Sequence, residues 1–412
     1  MTSDSSAATS DNEKQRPNLA AKAWPSVSAA PSSAAAASPP VRLTTGQQNS
    51  NGNVTAEVVR LKELGGAEQA LWQTFRKQRP YFSSPFMSLE FLQQAQNVGR
   101  AVEIAVLRRE QEICGFLPFE RRGKRGAVPA AARMNDVHGV LGCDLNRQQL
   151  LSVMQQCHLD TFAFHAWFGS SEGIRPFSFS KIQSYMADLE QCGSYGSYAE
   201  YLKHERYTLK QQVRRTRKWE RDLGPVRLEF RSLDARLLEL LFQWKREQFQ
   251  RTNTFDIFSV PWTTDLVRSL FKTPATSRVQ GVLSVLYSGD KPAAMHVGIQ
   301  EGKLLHYWFP VYQLDYRQYS PGAEMFLQIA EHCQSVEGLR KIDLGYGEQP
   351  YKHKLINQTS DCYCGLISRR AVPYYCHSMA YHAHQRFRSW SFKEPVKSVF
   401  RRCFPGFGRQ GF

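Results

Sequence analysis

Lys291-Pro-Ala-Ala-Met-His-Val-Gly-Ile299 and His306-Tyr-Trp-Phe-Pro310 are followed by Tyr316-Arg-Gln-Tyr-Ser-Pro-Gly-Ala-Glu324 and then by Ile342-Asp-Leu-Gly-Tyr-Gly347 and Tyr351-Lys352. The first two are β-rich runs. Together with 279–287 they predict three successive antiparallel strands, the first two joined across Ser288-Gly289-Asp290. The apolar spacing after Gly322 predicts a helix over 322–336, and 341–344 a further strand. Ser320-Pro321-Gly322 therefore stands where a strand loop hands over to a helix. The first N–H groups of a helix lack partners and carry its positive end. Glycine there lets an anion approach the backbone closely, and Arg317 adds a charged clamp. Ser-Pro-Gly is also an ordinary helix start, so the residues alone leave both uses open.

Working outward, a long basic helix is predicted over 198–223, ended by Gly224-Pro225. A strand at 226–230 and helices at 233–250 and 263–273 precede the hairpin, and 364–368 can close the sheet. The first half follows a similar order: a strand at 57–61, a helix at 67–78 with Leu71, Trp72 and Phe75 inward, and a helix at 86–96 after Ser84-Pro85. Strands at 102–107 and 112–119 follow, then the basic glycine loop 121–126 and Asn135-Asp-Val-His-Gly139. The two halves repeat an order of elements, not a sequence. The fold class expected is α+β: two tandem domains, 54–190 and 191–370, each a mostly antiparallel mixed sheet flanked by helices.

The flanks differ in composition. Residues 1–53 are rich in Ser, Ala, Pro, Asn and Gln and cannot bury enough apolar area to offset their ordering entropy, so a disordered tail is expected. Residues 371–412 mix Phe387, Trp390, Phe392 and Phe400 with Arg386, Arg388, Lys393, Arg401 and Arg402. Such a tail either packs on its own domain or touches an anionic surface.

With 412 residues, 42% of them hydrophobic, the chain is long enough for two domains of ordinary size. It has no apolar run long enough for a transmembrane helix and no secretory leader pattern, so a cytoplasmic protein is expected. The nine cysteines have no framework spacing and read as reduced thiols; Cys362 and Cys364 lack a second pair, and no metal site is expected. A net charge of +16 asks for an anionic partner. Discrete RNA-binding signatures are absent, which makes nucleic acid an unlikely partner.

The phosphate-type turn resembles the acyl-CoA loop of GNAT acyltransferases, (Gln/Arg)-x-x-Gly-x-(Gly/Ala). Arg317 and Gly322 match, Ser320 replaces the first glycine, and Pro321 removes one N–H donor. Gly289-Asp-Lys-Pro292-Ala-Ala294, Tyr307-Trp308, Tyr319–Gly322, Asp343-Leu-Gly345-Tyr-Gly347 and Tyr351-Lys352 resemble the cellulose-biosynthesis acetyltransferase (CelD-like) family, a GNAT branch related to FemAB aminoacyltransferases. Ser84-Pro85-Phe86, Gly115-Phe-Leu-Pro118 and Asp136 fit in the first half. The resemblance covers about residues 57–368.

It implies two tandem GNAT-like domains and acyl transfer from acetyl-CoA or another acyl-CoA to an amine or hydroxyl of a sugar-like precursor in exopolysaccharide or envelope assembly. Arg317, Ser320, Gly322 and Ala323 would bind the cofactor pyrophosphate. His296, at a strand position where GNAT enzymes place a base, would deprotonate the acceptor, or else is a structural histidine on a strand face. Asp343 would serve as base or as the orienting partner of His296 or Lys352, and Tyr307 would protonate the leaving thiolate. Backbone N–H groups of a splayed strand would polarise the thioester. Arg214 and Lys218 share one face of the basic helix with Arg221; that face is either solvated, with Glu220 and Asp222 as partners, or a wall for an anionic or sugar-nucleotide acceptor or for the CoA 3′-phosphate, and Trp308 and Lys352 would meet the acceptor. The basic tail allows peripheral contact with the inner membrane face. Two further readings are a FemAB-like transferase using charged tRNA and a non-catalytic GNAT-fold binding module.

Overall fold

The first strands form as the sequence predicts and then join into something larger. The computed structural model describes residues 52–389 except Arg206, Glu348 and Pro350. The tail expected at 1–53 lies almost wholly outside the described residues. Of 371–412, only the helix Ala371–Ser389 falls within them. No helix among the described residues is long and apolar enough to cross a membrane.

The strands are β1 (Val54–Arg60), β2 (Val102–Arg109), β3 (Glu112–Arg122), β4 (Gly126–Pro129), β5 (Leu141–Gly142), β6 (Thr161–Trp167), β7 (Ser178–Asp188), β8 (Val226–Glu229), β9 (Val279–Ser288), β10 (Lys291–Glu301), β11 (Leu304–Tyr312), β12 (Lys341–Tyr346) and β13 (Gln358–Ser368). They share one mixed sheet in the order β1-β2-β3-β4-β6-β13-β7-β12-β11-β10-β9-β8, with β5 paired to β3. Its outer parts mirror each other. β1 to β4 run antiparallel and meet β6 in parallel; β8 to β11 run antiparallel and meet β12 in parallel.

The middle is an exchange. β7, from the first half, pairs with β12 of the second. β13, from the second half, pairs with β6 of the first and with β7. Each half thus lends its last strand to the other, and backbone hydrogen bonds run unbroken through the junction. A buried ion pair adds to this: Arg76 of the helix Gly66–Gln78 forks onto Glu301 at the end of β10, at 2.7 and 2.5 Å.

Helices cover both faces. Gly66–Gln78 buries Trp72 fully, with Leu71 and Phe75 packed beside it, as its periodicity predicts. On that face the helices Ala235–Arg251 and Pro261–Phe271 add Leu238, Leu241, Leu266 and Leu270 to the same core. On the other, the helix Pro321–Ser335 buries Met325, Phe326, Ile329 and Cys333, and the helix Tyr207–Leu223 adds Trp219. Burying each such large side chain contributes on the order of 1.5–3 kcal/mol.

One local departure positions the site. β11 and β12 pair only at Leu304↔Lys341, Leu305↔Ile342 and His306↔Asp343. β11 continues to Tyr312, but β12 turns away at Gly345, whose φ is +70°. Asp343 Oδ1 holds that turn by accepting the Gly345 N–H at 2.8 Å. A side chain at Gly345 would also meet Asp136 Oδ2 at 2.6 Å, so only glycine suits both the backbone and the space. The strands splay, and a gap opens between them.

Candidate active site

The gap is the floor of a cleft of about 1040 Å³. β11 supplies Tyr307 to Tyr312, the β12 end supplies Leu344 and Tyr346, and the loop before the helix Pro321–Ser335 supplies Arg317, Ser320 and Gly322. Its described lining holds six basic side chains (Arg133, Arg215, Lys245, Arg317, Lys352 and Lys354) and one carboxylate, Asp136. The potential inside favours an anionic ligand.

At one end lies the phosphate-type turn. A short 3-10 helix, Leu314–Tyr319, delivers Ser320 in the left-handed region at φ 56°, ψ 58°. Pro321 begins the helix and contributes no N–H. A Cβ at Gly322 would touch only Tyr312, at 3.8 Å, so internal packing does not demand glycine there. The space it leaves faces the cleft. Arg215, from the helix Tyr207–Leu223, donates to Ser320 Oγ at 3.1 Å. Gln212 donates to the Tyr319 carbonyl at 2.9 Å, and Thr216 to Glu324 Oε2 at 2.5 Å. The basic helix is thereby seated on the loop.

This seating selects the arginine. Gln212 and Thr216 face the loop and Trp219 stacks on its Tyr319 ring, which puts Arg215 at the cleft. Arg214 and Lys218, expected there, point away and do not line it. Arg214 is exposed, and Lys218 is held by Asp222 at 2.8 Å, beside the Tyr319 ring. The charge spacing that grouped them described the solvent face. The inward face was marked instead by the apolar Leu209 and Trp219.

At the splay lies an arrangement not foreseen as a unit. His306 Nδ1 hydrogen-bonds Asp343 Oδ2 at 3.2 Å, and its Nε2 forms an ion pair with Asp136 Oδ2, also at 3.2 Å. Burial alone would lower the His306 pKa, but the charge of Asp343 and the contact with Asp136 raise it to about 9. The ring is therefore an imidazolium at neutral pH. Burial pulls the Asp136 carboxyl upward, yet the close contact and charge of His306 hold it below the usual range. Asp136 is the cleft-facing member, with its side chain 23% exposed. It comes from the segment Asn135–Gly139, fixed by Asn135, which accepts from the Val137 N–H and donates to the Ala130 carbonyl, and by His138 Nε2, which accepts from the His165 and Ala166 N–H groups.

Asp343 is placed as an orienting partner, of His306 rather than of His296. Lys352 is buried and donates to the Gly345 and Tyr346 carbonyls at 3.3 and 2.9 Å; burial lowers its pKa against the attraction of Asp136 and Asp343. Tyr307 and Trp308 both line the cleft, and burial pushes the Tyr307 hydroxyl far up.

His296 stands elsewhere. It lies on β10, one strand away from the splay, fully buried and stacked on Tyr307 with ring centroids 4.1 Å apart. Neither ring nitrogen has a hydrogen-bond partner among the described residues. Burial, and next the charge of His306, lower its pKa to about 3. It does not line the cleft, so the geometry does not fit the base role expected of it.

With this geometry in place, residues 208–353 match the family model of the acetyltransferase (GNAT) domain. Over those residues the fold is of the GNAT type. Among solved structures, the chain is similar to FemX at 10% identity, over 78% of this chain and all of that one, with a TM-score of 0.49. It is similar to a tandem GNAT protein from the clavulanic acid biosynthesis pathway at 7% identity, over 76% and 98%, with a TM-score of 0.46. It also resembles the C-terminal domain of a putative lysylphosphatidylglycerol synthetase from Agrobacterium fabrum, at 12% identity, over 70% and 95%, with a TM-score of 0.45. No curated protein matches the chain in sequence.

The residues missed from sequence are Asp136, His306, Arg215 and Lys245. Asp136 and His306 sat in motifs already singled out. What gives them a role is contact between residues 170 positions apart, which no local pattern carries.

Proposed function

We propose that the protein transfers an acyl group from acetyl-CoA or another acyl-CoA to an amine or hydroxyl of an anionic, sugar-like acceptor. The observation that carries this is the splay of β11 from β12 beside a helix start that faces the same cleft. Arg317, Arg215 and the Gly322 and Ala323 N–H groups would hold the pyrophosphate. The pantetheine arm would lie along the open edge of β11, whose backbone supplies the donors that polarise the thioester carbonyl.

In this reading Asp136 takes the proton from the acceptor as it attacks, and Asp343 holds His306, which holds Asp136. Protonated His306 keeps the Asp136 carboxylate charged and aimed. Tyr307 stays protonated and donates a hydrogen bond to the departing sulfur. Lys352 and Trp308 line the acceptor side. The halves 54–190 and 191–370 act as two GNAT-like domains, the first supplying Asp136 and Arg133 to a cofactor site built by the second. The acceptor class follows the family resemblance, a precursor of surface polysaccharide. The protein would work in the cytoplasm, near the inner membrane face.

Thermal unfolding with acetyl-CoA, longer acyl-CoAs and RNA tests the reading. Stabilisation by the CoA esters that is lost in Arg317→Ala supports it, and the absence of any shift with every CoA ester refutes it.

A further inference from the structure

Lys245 is a buried cation with no counter-ion among the described residues. It projects from the helix Ala235–Arg251 and is 8% exposed. Its Nζ donates to Gln248 Oε1 at 2.8 Å and to the Pro310 carbonyl at 3.1 Å. The rings of Phe249 and Phe309 lie 5.0 and 5.9 Å away. All these partners are neutral, and no carboxylate among the described residues forms an ion pair with it. Burial lowers its pKa to about 8, with no neighbouring charge acting to raise it. An ammonium taken out of water without an opposite charge is costly, and proteins rarely keep one without a use.

Its location separates it from the cofactor loop. The helix Ala235–Arg251 packs into the core on one face of the sheet, and the helix Pro321–Ser335 into the core on the other. Lys245 therefore approaches β11 at Pro310 from the face opposite the loop, yet both border the same cleft. Gln248, Thr252 and Thr254 line the wall beside it, and Arg133 lines the cleft as well, its guanidinium 4.9 Å from the Phe255 ring centroid. Arg215 and Arg317 suffice for a pyrophosphate at the loop. The charge at Lys245 is surplus to it.

We propose that Lys245 is the anchor of a second anion subsite, which binds a phosphate or carboxylate of the acceptor while acyl-CoA occupies the loop side. This rests on the acyl-CoA reading only for the identity of the neighbouring ligand. The acceptor class is thereby narrowed to molecules that carry an oxyanion remote from the attacking amine or hydroxyl. The subsite holds that oxyanion, and Asp136 receives the nucleophile's proton.

The test is calorimetric titration of the full chain, saturated with CoA, with inorganic phosphate, inorganic pyrophosphate and succinate in separate arms. At least one is expected to bind, and Lys245→Met to weaken it tenfold or more, with Lys245→Arg restoring most of the affinity. The Lys245-dependent part of this binding is expected to be the same in CoA-free protein. The arm that binds tells phosphate from carboxylate recognition. Lys245→Met with undiminished oxyanion affinity overturns the proposal, as does the absence of binding in all three arms. Oxyanion binding that appears in CoA-free protein but is abolished by saturating CoA overturns it too, since the oxyanion then sits at the loop. If CoA itself fails to bind, the cofactor reading falls, and the same comparison on CoA-free protein still decides the Lys245 subsite. Thermal unfolding of each variant establishes that it is folded.

Discussion

His306 Nε2 lies 3.2 Å from Asp136 Oδ2, an ion pair that ties β11 to a loop 170 residues earlier in the chain. With Asp343 on its other nitrogen, the ring is a cation held between two carboxylates in a largely dry site. Charge, fold and chemistry meet there. The pair fixes the only described carboxylate of an otherwise cationic cleft.

The protonation of His306 is linked to stability. Its folded pKa, about 9, exceeds the unfolded value of about 6.5. The folded state therefore holds the proton more tightly, and this stabilisation is complete below about pH 6.5 and is lost as pH rises through about 9. Urea unfolding from pH 6 to 10 is expected to show a decline in this window that is much shallower in His306→Gln. Equal slopes in the two proteins would remove the ion-pair assignment.

Asp136→Asn removes one of the two charges on His306. The imidazole is then expected to titrate at a lower pH than in the wild type, followed by NMR of the ring. In a turnover assay with a competent acceptor, kcat is expected to fall by about 10²–10⁴, the usual worth of a general base. KM for acyl-CoA should stay close to wild type. A variant with full kcat would exclude Asp136 as the base.

His296 gives the opposite expectation. It sits in the core, neutral, with neither ring nitrogen bonded among the described residues and its pKa lowered to about 3. The folded protein resists protonating it, so it costs stability as pH falls below about 6.5. His296→Phe keeps the stack on Tyr307 and removes two unsatisfied nitrogens. It is expected to unfold within about 1 kcal/mol of wild type at pH 7, to be the more stable of the two at pH 4, and to retain its shift with acyl-CoA.

Ser320 sits in left-handed backbone, where a side chain costs about 1–2 kcal/mol. Ser320→Gly relieves that strain and loses the contact from Arg215. A gain of up to about 1 kcal/mol in unfolding free energy is expected, with acyl-CoA binding changed less than threefold. A large loss of binding would show that the hydroxyl, not the backbone turn, is what the ligand meets.

Much of this was legible in the sequence. The hairpin β9–β10, the strand β11 and the helix start at Pro321 announce themselves by alternation, turn residues and a Pro-Gly pair, all local signals. The joining of the halves was not legible. β7 pairing with β12 and β13 with β6 is a matter of partner choice between strands far apart in the chain, and apolar strands carry no address. The site divides in the same way. Arg317, Ser320 and Gly322 lie together because they are neighbours in sequence. His296 looked suitable because an imidazole titrates near neutral pH, but burial on the wrong strand removes that property. Arg214 and Lys218 were drawn by charge spacing, whereas the buried Trp219 fixes the rotation of their helix and brings Arg215 inward.

The most direct measurement is the affinity of CoA for the wild-type chain and for Arg317→Ala, Arg215→Ala and the double variant, by calorimetric titration. Each arginine is expected to account for one charge-assisted contact to the pyrophosphate, worth about 1.5–3 kcal/mol. Each single variant should bind about ten- to a hundredfold more weakly, and the double variant more weakly still. CoA binding of equal strength in wild type and double variant, or none in the wild type, would contradict a cofactor site at this loop.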